Sequence, residues 1–83
     1  MIEIYSKKIC PYCDMAKRLL DAKGLSYTEY FVDLSDTRLD EMLQRSSGRR
    51  TVPQIFINNQ GVGGYDDLHR LEQSGALNEM LVK

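Results

Sequence analysis

The chain opens on Ile2-Glu3-Ile4-Tyr5, a short run of strand-forming residues, and then changes period. Tyr12, Met15, Ala16, Leu19 and Leu20 recur at i, i+3, i+4, i+7 and i+8, one apolar stripe of a helix, with Asp14, Lys17, Arg18 and Asp21 on the other face. Gly24 is placed to stop that helix, because glycine enters the left-handed conformation without penalty. Tyr27 to Val32 reads as a second strand by composition. Residues 33–36 supply caps, and Leu39, Met42 and Leu43 mark a second helix ending near Gly48. Gln54 to Ile57 is a third strand. Asn58-Asn59-Gln60-Gly61 signals a turn, with Val62-Gly63-Gly64 returning as a short fourth strand. A third helix carries Leu68 and Leu71, with Asp66 expected at its N-cap; Gly75 breaks it, and Ala76, Leu77, Met80 and Leu81 pattern a last short helix.

The order is β-α-β-α-β-β-α with a final helical turn or two. Its first β-α-β is expected to be a right-handed crossover between parallel strands, and its later hairpin antiparallel. The expected fold class is therefore α/β: a four-stranded mixed sheet with helices on its faces. At 83 residues the chain has room for one core, so a single domain over residues 1–83 is expected.

Composition narrows the function more than the fold. Charged residues make up 28% and the formal net charge is −1, which provides no general attraction to nucleic acid. Positive charge falls instead in the pairs Lys7-Lys8 and Arg49-Arg50, so anion binding is expected to be local. No run approaches the ~20 apolar residues of a membrane span. The first residues lack the basic and apolar regions of a secretory signal, so a cytoplasmic protein is expected. In a reducing compartment two neighbouring cysteines are catalytic or metal-binding more often than structural.

Those cysteines are Cys10 and Cys13, in Cys10-Pro11-Tyr12-Cys13 at the start of the first helix. Proline is favoured at N1, which puts Cys10 at the N-cap and Cys13 at N3. The Cys10 sulfur is then positioned to accept from the amides of Tyr12 and Cys13. The helix dipole and the charge of Lys7 or Lys8 favour its ionised form. Cys10 is the expected nucleophile, and Cys13, one turn in and less exposed, the resolving thiol. Helical residues three apart have Cβ atoms roughly 5–6 Å apart, so modest adjustment closes a reversible disulfide. A zinc site needs four ligands, and His69, in a later helical pattern, is the only histidine; no metal is expected. The Met15/Leu19 and Met42/Leu43 stripes read as core, and Tyr5, Tyr27 and Tyr30 as strand packing. Taken alone, Thr51-Val52-Pro53 reads as an ordinary loop leading into a strand, and Asp66-Asp67 as helix caps.

With Cys10-Pro11-Tyr12-Cys13, Thr51-Val52-Pro53 and Gly63-Gly64-Tyr65-Asp66-Asp67 in this order and spacing, the chain resembles the glutaredoxins, closest to the small bacterial dithiol type. The resemblance covers essentially the whole chain. It implies a thioredoxin-like fold, glutathione as co-substrate, and a glutathione-dependent thiol–disulfide oxidoreductase acting on disulfide-containing or glutathionylated proteins, as a monomer. It implies a cis bond at Pro53, and contacts to glutathione from the Val52 backbone within Thr51-Val52-Pro53. It further implies contacts to the γ-glutamyl end from Gly64, Tyr65 and Asp66, and to the glycyl carboxylate from Lys7 and Tyr12, with added charge from Arg49. Two positions depart from the family pattern. Ile9 stands where many relatives carry threonine, and Tyr65 where many carry cysteine or a small hydroxyl residue. Two other roles remain open at this point: a glutathione-ligated iron–sulfur cluster carrier bridging two monomers, and a thioredoxin-reductase-driven donor to ribonucleotide reductase.

Overall fold

A computed structural model of the chain describes residues 1–82. Its elements are β1 (Ile2–Ser6), α1 (Pro11–Ala22), β2 (Thr28–Phe31), α2 (Asp36–Arg45), β3 (Gln54–Ile57), β4 (Gln60–Gly63), α3 (Tyr65–Ser74) and α4 (Ala76–Leu81). The strands form one sheet in the order β2-β1-β3-β4. β1 pairs parallel with β2 and antiparallel with β3, and β3 pairs antiparallel with β4. The expected mixed four-stranded sheet is present.

The sheet's period of two divides the core. Ile2 and Ile4 of β1 and Ile55 and Ile57 of β3 face Ala16 and Leu20 of α1, Leu68 of α3 and Leu77 of α4 in one apolar cluster. Tyr5 and Phe56 face the opposite way and pack with Val32 and Met42, so α2 covers a smaller and more polar face. All five residues of β1 are buried, including Glu3.

On that second face the missing apolar surface is replaced by charge. Arg45, at the end of α2, donates from Nη2 to Glu3 Oε1 at 3.0 Å and from Nη1 to Glu3 Oε2 at 3.1 Å. Its Nη1 also donates to the Tyr5 hydroxyl at 2.8 Å, and its guanidinium stacks 4.1 Å from the Phe56 ring centroid. The Tyr5 hydroxyl donates to Glu41, and Arg38 closes the network on Glu41 and over the Tyr30 ring. The Arg45 hydrogen bonds hold the Glu3 carboxyl below the usual carboxylate range. Burial, reinforced by Glu41, pushes the Tyr5 phenol up to about 12.

Several boundaries move from their sequence expectation. Tyr12 and Met15 are exposed rather than core, so α1 buries a narrower stripe of Cys13, Ala16 and Leu20. The hairpin turn is only Asn58-Asn59, both left-handed at φ 51° and 68°, which suits a two-residue connection; Gln60 and Gly61 already belong to β4. Asp66 is not the N-cap of α3. Gly64 is, and Asp66 lies in the first turn. Gly24 and Gly75 do take the left-handed conformation at the helix ends, and His69 is exposed on α3.

Candidate active site

β1 ends at Ser6 in the middle of the sheet, and a short loop carries the chain into α1. Cys10 is the N-cap, in extended conformation, and Pro11 is N1. The Cys13 amide donates to Cys10 Sγ at 3.2 Å, one of the two amide contacts expected there. A sulfur held by a free helix-start amide is stabilised in its ionised form by hydrogen bond and dipole together. The two cysteines are joined as a disulfide with Cα atoms 5.2 Å apart, inside the usual range. Cys10 retains 8% of its surface and Cys13 none, the inequality expected from N-cap and N3. Below them Lys17 anchors α1 to β2 through Glu29 at 2.9 Å, and Ser6 donates to the same carboxylate at 2.6 Å.

The second wall comes from the loop between α2 and β3. Ser47 and Gly48, at φ 60° and 91°, reverse the chain after α2, and the Ser46 hydroxyl exchanges hydrogen bonds with the Arg49 backbone. Buried Gln54 donates its side-chain amide to Thr51 O at 2.9 Å and Thr51 Oγ1 at 3.1 Å, pinning Thr51 to Pro53. The Val52–Pro53 peptide is cis. Val52 lies ahead of the first ladder pair, Tyr5 with Gln54. Its carbonyl oxygen is 4.0 Å from Cys10 Sγ.

The third wall is the turn into α3. Gly64 has no side chain with which to cap the helix, so only the return arm of a capping box forms: Asp67, at N3, accepts from Gly64 N at 3.1 Å. Gly63, at φ +110°, must be glycine for two reasons. Its backbone is left-handed, and a Cβ there would overlap the Asp67 carboxylate and lie 3.3 Å from Arg49 Nη1. The Tyr65 ring lies between those of Tyr12, at 6.4 Å, and His69, at 5.8 Å.

These walls enclose an open groove of about 180 Å³ lined by Tyr12, Arg49, Thr51, Val52, Pro53, Gly64, Tyr65, Asp66 and Asp67. Eight of the nine are residues singled out from the sequence. Lys7 is not brought into the wall; it is exposed on the loop leading to Cys10. Asp67 joins the groove although its spacing suggested only a cap, and Gln54 supports the groove from the core. The acidic residue three places after Gly64 was a legible signal for Asp67; nothing local marked Gln54. A larger cavity, about 480 Å³, opens between β4, α3 and α4 and shares only Asp67 with the groove. Among the described residues no group of three or more histidine, cysteine or acidic side chains is gathered to hold a metal, and no helix is long and apolar enough to cross a membrane.

Residues 2–62 match the glutaredoxin family model. Glutaredoxin 3 of Escherichia coli is 50% identical over 80 residues, which cover 96% of this chain and 95% of that protein. A glutaredoxin of Neisseria meningitidis is 49% identical over 81 residues, covering 96% and 94%. Among solved structures, a buckwheat glutaredoxin–glutathione complex superposes with TM-score 0.87 at 32% identity, covering 98% of this chain and 76% of that one. The solution structure of a Brucella melitensis glutaredoxin superposes with TM-score 0.82 at 44% identity, covering 96% and 86%.

Proposed function

This chain belongs to the glutaredoxin family and has its thioredoxin-like fold and redox-active cysteine pair, and from that premise we propose that it is a glutathione-dependent thiol–disulfide oxidoreductase. The observation that carries the reading is the position of Cys10 Sγ. It accepts the Cys13 amide at the start of α1 and faces the Val52 carbonyl across 4.0 Å, next to the open groove of about 180 Å³.

In the reduced protein the Cys10 thiolate attacks one sulfur of a client disulfide. The second client sulfur leaves with the electron pair and takes a proton. Cys13 then attacks Cys10 Sγ, freeing the client thiol and closing the Cys10–Cys13 disulfide. Two glutathiones return the dithiol and depart as glutathione disulfide. On a glutathionylated protein Cys10 takes the glutathionyl group, the protein thiol leaves, and a second glutathione resolves the intermediate without Cys13. Rates follow thiolate fraction, nucleophilicity and leaving-group acidity.

The groove fits the ends of glutathione by charge. An extended backbone at Val52, held by Thr51 and Pro53, is suited to pair with the cysteinyl unit, a one-residue form of strand addition. Beyond Gly64, whose own amide is held by Asp67, Tyr65 and Asp66 offer amides at the start of a ten-residue helix for the γ-glutamyl carboxylate, and Asp66 a carboxylate for its ammonium. Tyr12 and the Arg49 cation stand ready for the glycyl carboxylate at the other end, and Lys7 contributes from the neighbouring surface. The working unit is the whole chain as one glutaredoxin domain, a cytoplasmic monomer with glutathione as co-substrate.

The test is turnover of a glutathione mixed disulfide and of a protein disulfide by three proteins side by side. Cys10→Ser is expected to lose both activities. Cys13→Ser is expected to keep deglutathionylation and lose net reduction of the protein disulfide. Retained turnover in Cys10→Ser would sink the assignment.

A further inference from the structure

Exposed apolar side chains are not scattered over this molecule. Among the described residues, the large hydrophobics left exposed are Met1 and Val82 near the ends of the chain, and Ile9, Tyr12, Met15 and Leu34. Tyr12 is accounted for by the groove, and Met15, on α1, by its lesser exposure of 38%. Ile9 and Leu34 are not: neither lines the groove nor packs against either core cluster. Ile9, 92% exposed, directly precedes Cys10, and Leu34, 65% exposed, sits in the turn between β2 and α2. The two loops are cross-linked, because Lys8 N donates to Asp33 Oδ2 at 3.2 Å. Ile9 and Leu34 each lie one residue beyond that bond. Lys7 and Lys8 are exposed beside them.

We propose that Ile9 and Leu34 form a docking ledge for the client polypeptide in direct disulfide exchange. The clients it favours carry an apolar side chain beside the attacked cysteine and acidic residues within reach of Lys7 and Lys8. The inference rests on the proposed thiol–disulfide chemistry and adds the class of client. Its basis is the covalent intermediate. A Cys10–client disulfide holds the two Cα atoms roughly 4.4–6.8 Å apart, so the residues flanking the client cysteine must lie on the immediate neighbours of Cys10. One side of Cys10 is the groove; outside it stands the Ile9 loop, apolar at the sulfur and basic behind. Isolated exposed hydrophobics need no explanation, but two on cross-linked loops at the rim of a reacting sulfur mark a contact surface.

The experiment isolates the first bond. In a Cys13→Ser background, reduced Cys10 is reacted with a synthetic peptide whose cysteine is activated as a 2-thiopyridyl disulfide. The Cys10 thiolate bonds to the peptide sulfur, the sulfur–pyridyl disulfide breaks, and the released pyridine-2-thione is read by absorbance. One peptide has leucine and glutamate around the cysteine; the other has serine in their places. The leucine–glutamate peptide is expected to react about tenfold faster, the factor produced when two aliphatic side chains are each partly covered. Ile9→Ser/Leu34→Ser is expected to bring that preference close to one, while reaction with the thiopyridyl disulfide of glutathione stays within about twofold, because glutathione uses the other side of Cys10. A preference that survives the double substitution overturns the ledge. So does an equal loss on the glutathione compound, since the residues would then act on Cys10 and not on the client. Failure of the glutathione reading is seen separately: wild type without turnover of a glutathione mixed disulfide, yet with the peptide preference intact, sinks that reading and leaves the ledge standing.

Discussion

Arg45 is the residue whose removal tests how α2 is held. Only Met42 of this ten-residue helix is fully buried, and beside the apolar packing of Met42 and Leu39 the helix is tied to the sheet through Arg45, Glu3, Tyr5 and Glu41. Arg45→Met keeps the aliphatic length but deletes the bidentate pair with Glu3 and the bond to Tyr5. Glu3, its side chain 11% exposed, would keep only the Tyr30 hydroxyl at 3.1 Å. Removing one partner of a buried ion pair costs about 3–5 kcal/mol. Because Arg45 itself is 22% exposed, the lower end, about 3 kcal/mol, is the expected loss. A domain of this length has roughly 4–12 kcal/mol in total, and 1 kcal/mol moves the melting temperature of such a domain by about 4–8 °C. Arg45→Met is therefore expected to lower Tm by about 12–24 °C at pH 7. The assay is thermal and urea unfolding followed by circular dichroism, in a double-mutant cycle with Glu3→Leu. The double variant is expected to recover most of the loss, since replacing both charges by apolar groups removes the orphaned carboxylate. A single-variant loss below about 1 kcal/mol would place the pair in the range of a surface salt bridge. Strict additivity in the cycle would show no coupling; either result refutes the clamp.

The same network sets pH limits at both ends. Glu3 and Glu41 are held below their ordinary values, chiefly by hydrogen bonds from Arg45 and Tyr5 respectively. Their contribution is full above the unfolded carboxylate value and lost as pH falls through the depressed folded values, so the acid limb of the stability profile should flatten in Arg45→Met. Tyr5 is raised, so its contribution is full below the phenol's ordinary value of 10 and lost as pH climbs from there to about 12; Tyr5→Phe should remove that alkaline step from the urea midpoints. Gly63→Ala puts a methyl group onto the Asp67 carboxylate at a left-handed φ. A loss of about 1–3 kcal/mol is expected on denaturation, together with a raised KM for a glutathione mixed disulfide; an unchanged KM would detach the Gly63–Asp67 turn from the groove.

The elements of this protein were legible because each is written locally. Cys10-Pro11 marks a helix start by capping chemistry alone, and Asn58-Asn59-Gln60-Gly61 a hairpin by its turn-forming residues. The inequality of Cys10 and Cys13 followed from N-cap against N3, with no tertiary information. The three motifs that line the groove were visible as separate stretches.

Their convergence is another matter, because it depends on contacts across 40 to 55 residues of chain. The approach of Val52 to Cys10 requires β3 to sit beside β1, a pairing that no local pattern states. Glu3 is a charged residue in a short strand, and that strand, β1, is central, so the carboxylate is buried; its partner Arg45 is 42 residues away. Tyr12 and Met15 had the spacing of a core stripe, but the sheet receives α1 on the Ala16–Leu20 side and leaves them in solvent. Asp66 had a good N-cap side chain, yet Gly64 caps α3, because β4 delivers the chain through left-handed Gly63 and Asp67 reaches back to the Gly64 amide. Local sequence sets which conformation a segment prefers. Which face of it meets water, and which distant charge it must satisfy, is settled only when the sheet order brings the segments together.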